Sequence, residues 1–189
     1  MADEIRYLLS PRHTVEQFSA GWTTDDKIDV FIARVEGWQL GVARQMIEKD
    51  LKGRDLAVLH ILSSYFEMIG KHISGYLGND RSRRYFSVGL RDVFRDIDPQ
   101  EVEFMNSLYK NLRCGLYHLG RPGPNVILND AASGAIGYNA ENDFLMISPT
   151  TLLEAVENHF RSLAEALRDP ANSALRGNVE RRFDHDNAL

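Results

Sequence analysis

The chain has a single cysteine, Cys114. One thiol cannot form a disulfide within the chain, nor can it build the multi-cysteine zinc sites of fingers and ribbons. Long apolar runs are missing too. The most apolar stretch, 56–70, is interrupted by His60, Ser63, Ser64 and Glu67. It falls short of the roughly 20 apolar residues that span a bilayer. The first ten residues contain Asp3 and Glu4 and no sustained apolar core, so no secretory signal is expected there. These absences point to a soluble, cytoplasmic protein with no membrane partner. Basic charge is scarce as well: 22 Lys and Arg stand against 27 Asp and Glu, a formal net charge of −5. That balance argues against a broad basic face for duplex binding, but leaves room for a small cationic site that touches one or two phosphates. The sequence has no Walker loop, no Gly-rich dinucleotide fingerprint and no Gly-x-Ser-x-Gly elbow. His13, His72, His159 and His185 show no paired metal-ligand spacing. Neither a metal nor a cofactor is expected.

What is present is a helical pattern. Thr24, Asp25 and Asp26 form a helix start, followed by Ile28, Phe31, Ile32, Val35, Trp38, Val42 and Met46 at helical spacing. A second helix is expected from about Arg54 to Tyr76. It is apolar almost all round, as a central helix would be. Residues 81–94 read as a shorter helix. Asp98, Pro99 and Glu101 announce another, with Val102, Met105, Leu108, Tyr109, Leu112 and Leu116 as its stripe and a firm stop at 120–124. The period then shortens. Short apolar runs at 126–128, 135–138 and 144–147, separated by turn residues, predict a small β-hairpin or meander around 125–148. Ser148 and Pro149 restart a helix that carries Leu152, Val156, Phe160, Leu163 and Leu167. The expected architecture is mainly α, a helical bundle with a small β insertion. It divides into an N-terminal arm (1–24), one bundle domain (25–169) and a polar, flexible tail (170–189).

The segment 108–120 concentrates the chemistry. Arg113 and His118 lie five positions apart, about 140° around an ideal helix. Both can border one cleft if the last turn loosens at Gly120. Asn106, Lys110 and Tyr117 share a face with Arg113 and are candidate substrate contacts. Arg supplies a permanently charged donor fork that matches phosphate oxygens. A His near a helix C-terminus gains from the dipole and can move protons near neutral pH. Together they suit RNA cleavage without a metal, in which a 2′-hydroxyl attacks the adjacent phosphate. Glu67 lies in a polar stripe, His60, Ser64, Glu67 and Lys71, on the otherwise apolar second helix. A carboxylate inside a bundle needs a partner, and Arg113 or His118 is the natural one.

Arg113, four intervening residues and His118 resemble the Arg–His signature of the HEPN superfamily (higher eukaryotes and prokaryotes nucleotide-binding domains). The resemblance spans roughly residues 28–168 in helix order. It implies an all-α bundle with the motif near the end of a late helix. It also implies dimerisation, with two motifs in a composite cleft. In many members the activity is that of a metal-independent endoribonuclease of a toxin–antitoxin or other stress and defence system. On that reading the chain is such an endoribonuclease, with Arg113, His118 and Glu67 catalytic, or an RNA- or nucleotide-binding protein of such a system, and the partners are RNA, a second copy of the chain and an antitoxin-like protein. The position after the Arg, polar in ribonuclease members, is Cys114 here. A rival reading needs no reaction: a helical interaction and dimerisation module in which Arg113, His118 and Glu67 form a structural polar knot.

Overall fold

A computed structural model describes residues 7–18, 21–97, 101–132 and 134–187. The chain is mainly helical, as the periodicity predicts. An N-terminal hairpin pairs β1 (Leu8–Ser10) with β2 (His13–Thr14) and runs into a 3-10 turn, Val15–Phe18. Thr23 caps α1 (Thr24–Arg34) through a reciprocal box with Asp26. A π-helical segment, Val35–Leu40, continues α1 into α2 (Gly41–Glu48). The central helix α3 (Arg54–Ser74) follows between two left-handed glycines, Gly53 and Gly75. Its Val58, Leu59, Leu62, Tyr65, Phe66 and Ile69 have no exposed surface. It touches α2, and it packs most extensively on α4 (Ser82–Val93).

The motif helix comes next and is not one regular α-helix. It begins as α5 (Val102–Ser107), passes through a π-helical segment, Leu108–Cys114, and finishes as α6 (Gly115–Leu119). The Asp98–Pro99–Gln100 part of its expected start signal lies outside the described residues. In the π segment the Gly115 N–H reaches back to Lys110 O, an i→i+5 bond that takes one extra residue into the turn. Asn111 O accepts instead from Gly123 N–H at 2.7 Å, which folds the loop after α6 against the helix. Gly120, at φ +66°, ends α6 with its N–H on Leu116 O.

The β insertion corrects the idea of a sequential meander. β4 (Ile136–Asn139) and β5 (Phe144–Ile147) do form the expected antiparallel hairpin. However, β3 (Val126–Leu128) joins the far edge of β5 in parallel, so the order is β3-β5-β4. Leu145 and Ile147 of the central strand are buried in the bundle core, and Val126, Leu128, Ile136 and Tyr138 of the edge strands pack partly buried against it. Ser148 then caps α7 (Pro149–Arg168), whose apolar face closes the core.

The expected flexible tail is a second correction. Residues 173–187 form α8 (Ser173–Asn187), docked on α1 and α3. Val179 and Phe183 are buried there. Lys27 Nζ reaches Glu180 at 3.0 Å and Asp184 at 2.8 Å, and Asn178 donates to Ile73 O at 2.7 Å. Two apolar residues amid charges gave no amphipathic signal in the sequence. Their burial depends on ion pairs with residues some 150 positions away. Val179→Ala is therefore expected to lower stability by about 2 kcal/mol. A denaturant titration checks this; an unchanged midpoint would mean that α8 contributes nothing to the fold.

Candidate functional site

The site is built around Glu67 on α3. Its Oε1 accepts from Lys71 Nζ at 2.8 Å and from Ser82 Oγ, at the start of α4, at 2.7 Å. Its Oε2 accepts from Arg113 Nη2 at 2.8 Å. Burial works against the charged carboxylate, but the three hydrogen bonds outweigh it and hold the Glu67 pKa below the ordinary range. Burial likewise opposes the Arg113 charge, and the Glu67 contact more than compensates. The partner expected for Glu67 is thus Arg113, not His118.

Arg113 is fixed on its other sides by aromatic rings. Its guanidinium carbon lies 4.4 Å from the centre of the Tyr117 ring and 5.8 Å from that of Tyr109. Tyr117, one turn on, is half exposed and forms the outer wall. Glu67, Lys71, Arg113 and Tyr117 line a polar cavity of about 250 Å³ together with Ser64, Met68, His72 and, from α8 (Ser173–Asn187), Arg182 and Asp186. A larger cleft of about 1070 Å³ lies between the α4–α5 connection and β4, and it contains none of the motif residues.

The remaining predicted site residues lie elsewhere. His118 is exposed, does not line the cavity, and makes no hydrogen bond or ion pair among the described residues. Asn106 accepts from Arg83 of α4, and Lys110 is exposed outside the cavity. The expected shared face assumed an ideal α-helix. The π segment changes the rotation per residue between 108 and 114, which removes Asn106 and Lys110 from the Arg113 side while Tyr117 stays beside it. Among the described residues no three His, Cys, Asp or Glu side chains converge to hold a metal ion. No described helix is long and apolar enough to cross a membrane.

Several residues around Glu67 were not recognised as site residues from sequence. Lys71 was read only as part of the polar stripe, although its spacing of four from Glu67 is that of a helical ion pair. Ser82, which donates to Glu67, and the cavity residues Arg182 and Asp186 gave no such signal. Nor did His72, whose ring stacks on Phe31 at 4.6 Å between centroids and whose Nδ1 lies 2.8 Å from Met68 O. Burial pushes its pKa down to about 4, with Arg182 and Arg34 nearby adding to the effect and the Met68 hydrogen bond and Asp186 opposing it. An unfolded His binds a proton near pH 6.5, while the folded one does so only near 4. Stability is therefore expected to fall as pH drops from 6.5 towards 4, by about 2 kcal/mol at pH 5. Thermal melts at pH 7 and 5 check this, and His72→Gln should flatten the dependence. An equal loss in that variant would move the cause to other groups.

No family model, curated protein or solved structure matches the chain.

Proposed function

We propose that the chain is an HEPN-like endoribonuclease that works without a metal. The observation that carries this reading is a fixed cation and an exposed histidine five positions apart on one helix. Arg113 is held by Glu67 and Tyr117, and His118 stands exposed and unpartnered among the described residues at the end of α6. The π segment that sets Arg113 in place adds support, because such irregularities concentrate at functional sites.

In the proposed reaction a phosphate of single-stranded RNA lies against Arg113. His118 takes the proton of the 2′-hydroxyl, the 2′-oxygen bonds to phosphorus, and the bond to the 5′-oxygen breaks. The proton then goes to the leaving 5′-oxygen. Arg113 stabilises charge on the phosphoryl oxygens, and Glu67 keeps the guanidinium oriented. Exposed Tyr117 and Leu119 flank His118, a surface on which a second copy would set its own motif beside the first. A homodimer, a stress or defence role, an antitoxin-like partner and a cytoplasmic location belong to the same proposal.

The interaction-module reading also has an observation in its favour. Glu67 is satisfied by three donors from α3, α4 and the π segment, as a structural knot would be. Purified protein incubated with mixed RNA in EDTA separates the two. Cleavage by the wild type and none by His118→Ala supports the nuclease. Equal cleavage by both, or intact RNA with both, favours the module.

A further inference from the structure

The cavity beside Arg113 holds more hydrogen-bond donors than its acceptors can use. A guanidinium has five N–H donors and an ammonium three. Arg113 uses Nη2 on Glu67, while its Nε is buried with no acceptor among the described residues. Lys71 has one hydrogen bond, again to Glu67. Buried donors left without an acceptor are destabilising, so this arrangement favours a ligand that brings several acceptor atoms.

Charge points the same way. Lys71, Arg113 and Arg182 line the cavity, with Glu67 and Asp186 as its carboxylates. One positive charge is left over, which matches the single negative charge of a phosphodiester. Arg182 reaches the site because α8 is docked. Its Nη1 donates to Tyr76 O at 3.0 Å and to Gly78 O at 3.2 Å, its Nη2 to Asn79 Oδ1 at 3.5 Å and its Nε to Asp186 at 2.8 Å, which leaves a single Nη2 N–H for a ligand. The group is buried and oriented before any ligand arrives. The cavity volume, about 250 Å³, is the share of about eight water molecules. That is room for one phosphate, not for a stack of bases.

We propose that Lys71 and Arg182 join Arg113 as ligands of one RNA phosphate, which makes the C-terminal helix part of the RNA-binding site. The proposal rests on the RNA reading above for the identity of the ligand, and on the donor excess for the site. Both bind non-bridging oxygens of the phosphate that Arg113 holds, and proton transfer is left to His118.

The test is fluorescence anisotropy of a labelled single-stranded RNA 12-mer on His118→Ala protein, titrated at several KCl concentrations so that the RNA stays intact. Adding Lys71→Met or Arg182→Met is expected to weaken binding about tenfold. Each should also flatten the slope of log affinity against log salt by about 0.7, the value of one lost phosphate contact on a single strand. Lys71→Met is also made on a Glu67→Gln background, where the lysine no longer has a carboxylate to neutralise. A loss of affinity there supports a direct contact. Unchanged affinity there, or an unchanged slope in both single variants with native circular dichroism, overturns the proposal. If Arg182→Met fails to fold, the lysine pair decides the matter alone. Cleavage is a separate readout: a nuclease that cleaves normally while these slopes stay fixed loses the cavity assignment and keeps its His118 chemistry.

Discussion

Gly70→Ala is expected to lower stability by about 3 kcal/mol, a fall in Tm of about 6–12 °C for a chain of this size. Helix propensity alone predicts the opposite sign, since Ala is favoured over Gly by about 1 kcal/mol inside a helix. The crossing of α3 and α4 reverses it. A Cβ at Gly70 would lie 1.9 Å from the backbone oxygen of Tyr85, and one at Gly89 would lie 1.9 Å from that of Phe66. Both obstacles are backbone, so no side chain can swing aside and the helices themselves must separate. Gly89→Ala should cost a similar amount. The double variant should cost less than the sum, because the two residues guard one contact. Separation would also carry Ser82 away from Glu67, so RNA binding should weaken with stability. Differential scanning calorimetry checks the first claim. A Tm equal to or above the wild-type value in Gly70→Ala would mean the helices do not cross this closely.

On the proposed nuclease reading, His118→Ala is expected to lose RNA cleavage by about 10²–10⁴-fold, the range for removing a general acid–base group. Because His118 is exposed and unpartnered among the described residues, stability should stay within about 0.5 kcal/mol of wild type. That separation of activity from stability is what a structural histidine would not give. Arg113→Lys sharpens the assignment. It keeps a positive charge for Glu67 but loses the planar fork that matches phosphate oxygens. If Arg113 stabilises the transition state, cleavage should fall by about 10²-fold while RNA affinity falls much less. If Lys restores full cleavage, Arg113 serves only as the counter-ion of Glu67. Both variants are measured in EDTA with single-turnover kinetics, so that product release does not mask the chemical step.

Much of this molecule was legible in the chain because its signals are local. The capping box at Thr23 and Asp26, the apolar periodicity of α3 and α7 and the Ser148-Pro149 restart each rely on residues a few positions apart. The pairing of Glu67 with Arg113 was also within reach. The cost of a lone buried carboxylate called for a cationic partner and narrowed it to Arg113 or His118; the structure chose Arg113. The face shared by Asn106, Lys110 and Arg113 was not, since it assumed 100° per residue through a segment that winds as a π-helix. Nothing in Leu108–Cys114 announces that winding by composition. Within that segment Asn111 O accepts from Gly123 N–H of the loop beyond the helix, a contact no local pattern shows.

The sequence by itself determined the helical class, the order of the main elements, the position of the β insertion and the candidacy of Arg113, His118 and Glu67, because periodicity, caps and charge burial act within or near one element. Only the tertiary structure decided that the polar C-terminus is a docked helix, that β3 pairs in parallel with β5, and that the cavity beside Arg113 takes its far wall from Arg182 and Asp186. It also decided which of the motif residues meet: Arg113 turns inward to Glu67 while His118 stays at the surface. These are contacts between residues far apart in the chain. Each is set by how whole elements share a core, and no local pattern encodes that.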